Sequence, residues 1–246
     1  MKRLEQINGK PKICVSLTAT NQEALLQQLE LINQSPVDVV EWRVDYFEES
    51  DDLEKVCATL AAIKAQLVDQ LLLFTFRTLE EGGEKAISLA AYKTLYQTIA
   101  PAGMVDMVDI ELKRIEFLGR SLIQEMKAAS IIVILSSHDF EKTPDDATLI
   151  FQIGVMNQMG ADIGKIATMP QDLNDVLRLM GLITKARGFN QLPLVTMSMG
   201  ELGKISRVSG AVTGSVLTFG AIGEASSPGQ IPVEQLAQTL EILAYS

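Results

Sequence analysis

Apolar positions along the chain gather into short runs, spaced roughly every 25 to 35 residues. Longer stretches with apolar residues at helical intervals lie between them. The pattern predicts strands near 12–18, 37–44, 70–77, 104–111, 130–137, 160–167, 192–198 and 214–219. Helices are expected at about 21–34, 51–67, 85–100, 114–128, 143–159, 172–187, 200–210 and 233–244. So regular an alternation implies parallel strands with right-handed crossovers. With 246 residues, eight such units favour closure into an α/β fold of the (β/α)8 TIM barrel type. An open doubly wound sheet normally needs fewer units, and no G-x-G-x-x-G opens the first helix. Nothing resembles a linker, so residues 1–246 are expected to form a single catalytic domain.

Alternate residues of a strand point to opposite faces, and that parity separates the polar from the apolar positions. Val40 and Trp42 oppose Glu41 and Arg43; Leu72, Phe74 and Phe76 oppose Thr75 and Arg77; Val108, Ile110 and Leu112 oppose Asp109 and Glu111. Ser16 shares a face with Thr18, and Ser136 with His138. Helix-facing positions must be apolar, so the polar parity is expected to face the barrel interior near its carboxyl-terminal mouth, where barrel enzymes carry out their chemistry.

Composition narrows the partners. A net charge of −10 argues against nucleic acid or an anionic membrane surface and leaves a small-molecule substrate. No stretch approaches a membrane span, and the segment Met1 to Gln6 leads into polar sequence without the apolar core of a signal peptide. Cys14 and Cys57 are the only cysteines and have no metal-ligand spacing around them, so no disulfide, metal or zinc site is expected. A cytoplasmic location follows from both.

Lys165 shares parity with Ile163 and Ala167, which points it into a mostly apolar interior. A desolvated lysine can present a neutral amine to a carbonyl. It can equally be structural, paired with an inward carboxylate such as Glu111. His138, the sole histidine, follows the apolar run Ile131 to Leu135 one strand before Lys165. It is either a hydrogen-bonded structural residue or an acid/base beside the lysine. Arg43, Arg77 and Arg207 are candidate anion and hydroxyl binders, since guanidinium grips a carboxylate with paired hydrogen bonds. For Arg207 alone a solvated surface position is the alternative. Glu41 and Glu81 either hold these groups or are ordinary surface charges. The Gly-rich run 213–230 fits a phosphate-holding loop or a substrate lid. Met197, Met199 and Trp42 read as packing residues.

Taken together, Glu-Trp-Arg at 41–43, Phe-Thr-Phe-Arg at 74–77 with Glu81-Gly82-Gly83, Ser-His-Asp-Phe at 137–140, Ala-Asp-Ile-Gly-Lys-Ile-Ala at 161–167, Ser-Arg at 206–207 and Ser-Ser-Pro-Gly-Gln at 226–230 closely resemble type I 3-dehydroquinate dehydratase. The motifs span nearly the whole chain in the family's order. The resemblance implies a barrel lyase of the shikimate pathway, which leads to chorismate and the aromatic amino acids. It implies a homodimer with no metal and no cofactor. It also implies that Lys165 forms an imine with 3-dehydroquinate, that His138 acts as acid and base, and that Glu81 orients His138. Arg207 would bind the carboxylate. Glu41, Arg43, Arg77, Ser226 and Gln230 would bind the ring substituents, with Ser16 and Trp42 flanking the pocket. Gly164 departs from the family pattern, which has proline before the lysine. Two rivals are a class I aldolase, which also uses a barrel lysine, and a silent scaffold barrel. A scaffold has no need to desolvate Lys165, Arg43 and Arg77.

Overall fold

A computed structural model describes residues 10–101, 103–223 and 225–244; the polar start of the chain lies outside them. Eight parallel strands alternate with helices: β1 (Lys12–Leu17), β2 (Val39–Arg43), β3 (Leu71–Thr75), β4 (Met107–Glu111), β5 (Ile132–Asp139), β6 (Ile163–Thr168), β7 (Leu194–Ser198) and β8 (Leu217–Ala221). The helices are α1 (Gln22–Asn33), α2 (Leu53–Gln66), α3 (Leu89–Ile99), α4 (Leu112–Leu118), α5 (Ser121–Ala128), α6 (Asp146–Met159), α7 (Leu173–Ala186), α8 (Lys204–Val208), α9 (Gly210–Thr213) and α10 (Val233–Leu243). Helix starts follow local chemistry. Asn21, Asp52, Ser88, Asp145 and Asp172 each accept a hydrogen bond from a backbone N–H of the first turn. Such a cap is worth about 1 kcal/mol.

Hydrogen-bonded ladders run in the order β7-β6-β5-β4-β3-β2-β1-β8. The β7–β8 seam is closed by a backbone bond from Val216 N to Leu194 O at 2.9 Å. The result is a (β/α)8 barrel. A two-residue strand, β9 (Ile231–Pro232), extends β8 beyond the pattern expected from the sequence. Two further departures have local causes. The helix expected at 114–128 is broken into α4 and α5 at Gly119, whose φ of +69° suits only glycine there. The strand expected to end at residue 137 continues to Asp139, because His138 and Asp139 pair with Ala167 and Thr168 of β6.

Parity divides the core in two. Outward residues, among them Val40, Trp42, Phe74, Val108, Ile110 and Leu135, pack against the helices. Inward residues Cys14, Val39, Leu73, Met107, Ile134, Ile163, Val195 and Leu217 fill the barrel below the mouth. Each fully buried aliphatic chain contributes roughly 1.5–3 kcal/mol, so this apolar plug firmly supports the polar layer above it. Among the described residues no helix is long and apolar enough to cross a membrane.

Candidate active site

The strand register stacks charged residues above the plug. Arg43 is level with Thr75 and Asp109, and Glu111 with Ser136 and Lys165. His138 stands two residues beyond Ser136 on β5, on the same inward face. Its Cα therefore lies roughly 8 Å from that of Lys165 by strand spacing and rise. Both line a cavity of about 230 Å³, together with Ser16, Glu41, Arg43, Arg77, Glu81, Arg207, Ser226 and Gln230. These expected residues come from strands and loops around the whole mouth.

Trp42 is the exception. It lies on the opposite parity from Glu41 and Arg43, fully buried against the helices, with its ring edge-on to Phe47 at 5.7 Å and Phe74 at 5.8 Å. The pocket-flanking place implied for it is corrected accordingly, and its outward parity is the reason. Met197 and Met199 pack in the inner cluster and also line the cavity.

Each polar side chain is held. Glu41 accepts from Ser16 Oγ and from Thr75 Oγ1 at 2.9 Å. Arg43 donates through Nε and Nη2 to both oxygens of Asp45, at 2.8 and 2.7 Å. Arg77 donates to Asp109 at 2.8 Å, Ser136 at 3.0 Å and Glu111 at 3.1 Å, so its charge is largely compensated from within. Glu111 also accepts from the backbone N–H and the hydroxyl of Thr78, which secures the turn carrying Glu81. Behind that turn, a Cβ at Gly83 would fall 2.0 Å from the Arg77 carbonyl, so only glycine fits.

Glu81 and His138 form a hydrogen-bonded pair. Glu81 Oε2 accepts from the His138 backbone N–H at 3.2 Å and lies 2.9 Å from Nδ1. Assigning the ring proton to Nδ1 leaves Nε2 free as a base. Burial pushes the Glu81 carboxyl up to about 8, against the pull of Arg77. Burial, with the cations Arg77 and Lys165, holds His138 well below its ordinary range, so the imidazole is neutral at pH 7. Because His138 is the only histidine, its ring resonance is unique in a proton NMR spectrum. It should remain in the neutral form on titration down through pH 6.5. A midpoint at or above 6.5 would contradict the environment described.

Arg207 is different from the other arginines. It is 1% exposed, and among the described residues no carboxylate lies within ion-pair distance. Its Nη2 donates to Pro228 O at 2.8 Å, while Nε is buried without a partner. Burial lowers its pKa to about 10. A desolvated cation without a counter-ion is a strong anion site. The loop above it lies across the cavity: Ser226 and Gln230 bond each other, and Ser226 Oγ donates to Ser16 Oγ at 3.2 Å. Gly229, at a φ of +78°, packs so close to Gly200 that a Cβ would sit 2.3 Å from the Gly200 carbonyl.

Gly164 precedes the lysine, and its N–H donates to Pro193 O at 2.9 Å across to the β7 side. Proline could not make that bond, so glycine at this position keeps a cross-strand hydrogen bond. The candidates named from the sequence did not include Asp45 or Asp109. Parity marks Asp109 as inward, but its partners come from other strands. Among the described residues no group of His, Cys, Asp and Glu is arranged to hold a metal ion.

The family model for type I 3-dehydroquinase matches residues 13–246. A 3-dehydroquinate dehydratase of Bacillus licheniformis is 41% identical over 250 residues, covering 99% of this chain and 98% of that protein. One from Listeria monocytogenes is 43% identical, covering 96% of this chain and 93% of its own. The crystal structure of the type I 3-dehydroquinate dehydratase from Clostridium difficile, described with covalently modified comenic acid, superimposes with a TM-score of 0.93. It shares 37% identity, and the match covers 99% of each chain.

Proposed function

Because the chain belongs to the type I 3-dehydroquinase family, we propose that it dehydrates 3-dehydroquinate to 3-dehydroshikimate through an imine on Lys165. The observation that carries this is one cavity shared by the buried Lys165, His138 beside Glu81 and the uncompensated Arg207. An amine, a base and an anion site are the three groups that a β-hydroxyketone acid requires.

One ammonium proton of Lys165 passes to the C3 carbonyl oxygen as the freed Nζ lone pair attacks the carbonyl carbon. The new C–N bond forms as the carbonyl π pair moves to oxygen, which leaves as water once protonated. Lysine ammonium plus ketone thus gives iminium plus water with no net change of charge. His138 Nε2 then takes the C2 proton, and the C–H pair flows toward the cationic nitrogen to give a neutral enamine. The enamine pair returns to expel the C1 hydroxyl, which His138 protonates, so a second water departs. Hydrolysis of the iminium consumes one water and frees the amine. The balance is one substrate to one product and one water.

Glu81 keeps His138 in the tautomer that presents Nε2, and acid/base help of this kind contributes about 10²–10⁴-fold in rate. Arg207 holds the substrate carboxylate, and Glu41, Arg43, Arg77, Ser16, Ser226 and Gln230 surround the ring. A homodimer acting in the cytoplasm, in the route to chorismate, belongs to the same proposal.

Two measurements test this. Mixing the protein with 3-dehydroquinate should produce the ultraviolet absorbance of a conjugated enone, and a flat trace would sink the assignment. Arg207→Ala should raise KM by about 30- to 150-fold, the loss of a charge-assisted, paired hydrogen bond, with a smaller change in kcat. An unchanged KM would remove Arg207 as the carboxylate anchor.

A further inference from the structure

Lys165 does not hang free in its cavity. Its Nζ donates to Oδ2 of Asp109 at 2.8 Å and lies 4.6 Å from the centroid of the Phe219 ring, over its face. Asp109 is wholly buried on β4 and Phe219 nearly so on β8, so the nitrogen is gripped from two different strands. The second oxygen of Asp109 accepts from Arg77 at 2.8 Å and from the Ser136 hydroxyl. Arg77 and Lys165 together overcome the effect of burial and keep this carboxylate ionised, well below the usual carboxylate range.

We propose that Asp109 and Phe219 form a seat that positions the Lys165 nitrogen for attack and then holds the cationic nitrogen of the covalent intermediate. The proposal rests on the imine assignment for Lys165. A lysine ammonium rides on a flexible four-carbon stem with many rotamers. One carboxylate oxygen fixes where the nitrogen sits, and the Phe219 ring face attracts the positive charge without bonding its hydrogens. Ammonium and iminium carry the same single charge at the same atom, so a seat that fits one fits the other. Bonding to Arg77 and Ser136 keeps the carboxylate itself from turning, so the position of Nζ is set by the barrel wall rather than by the lysine stem. When the C2 proton leaves, the nitrogen becomes neutral and its hold on the seat weakens. When the iminium re-forms, the hold returns.

The test is single-turnover trapping with borohydride and 3-dehydroquinate, followed by intact mass. Wild-type protein comes first, because no adduct there would sink the imine assignment itself and leave nothing to seat. With that adduct established, Asp109→Asn keeps the shape of the side chain and removes its charge. Trapping should slow at least about thirtyfold while KM changes by less than about threefold, the pattern of a lost charge-assisted bond to the reacting nitrogen. Phe219→Leu should slow trapping by about three- to tenfold, whereas Phe219→Tyr, which keeps the aromatic face, should stay within about twofold of wild type. If Asp109→Asn does not fold by circular dichroism, the Phe219 pair carries the test. Wild-type trapping rates in Asp109→Asn and Phe219→Leu would overturn the proposal, as would equal losses in Phe219→Leu and Phe219→Tyr.

Discussion

Lys165→Ala is expected to abolish both the borohydride-trapped adduct and enone formation, with turnover falling by on the order of 10⁴-fold or more, as when a covalent nucleophile is lost. Without the iminium, no cationic nitrogen accepts the C2–H electron pair, and a neutral imidazole is too weak a base for an unactivated ketone. The cavity would otherwise change little: Arg77 and Ser136 still bind Asp109, and Arg207 still faces the ligand space. The variant should therefore keep its affinity for 3-dehydroquinate, measurable by calorimetry, within about tenfold. Turnover near the wild-type rate in Lys165→Ala would place the chemistry elsewhere.

His138→Ala separates the steps. The amine and its Asp109 partner stay, so the imine should still form, but nothing removes the C2 proton. Turnover should fall by at least about a hundredfold, and the covalent species should accumulate and be visible in the intact mass even before reductant is added. Near-normal turnover would remove His138 as the essential acid and base. Complete loss of any trappable adduct would show that it is also needed to form the imine.

Much of this was legible in the sequence, for reasons that individual residues make clear. Strand parity reads which way a side chain points, so Glu41, Arg43, Thr75 and Arg77 were assigned to the interior from alternation alone. The same rule put Trp42 against the helices, and there it agrees with the structure where the family resemblance did not. Parity carries no information about register. The partner of Lys165 is 56 residues away on another strand, and Glu111 was the carboxylate suggested for it. Which of the two inward acids on β4 meets the lysine depends on a stagger set by packing around the closed barrel. Register also hides the use of Gly164, whose N–H meets a carbonyl contributed from the β7 side. Asp45 lies in the turn just beyond β2, where no strand alternation marks an acidic residue as buried. For His138 the parity shared with Ser136 gives the inward direction, whereas apolar character stops at Leu135 and so does not show that pairing with β6 carries the strand on through His138 and Asp139. Nothing in the composition marks Arg207 as buried. Its short helix α8 and the covering loop create that burial only in the folded state.

The covalent role of Lys165 is tested most directly by trapping it in the wild-type protein. Wild-type protein is incubated with 3-dehydroquinate and borohydride, assayed, digested and mapped by peptide mass. Activity should be lost only when both reagents are present together, with the reduced adduct confined to the peptide containing Lys165. Full activity after saturating substrate and reductant, or an adduct mapping to another lysine, would contradict it.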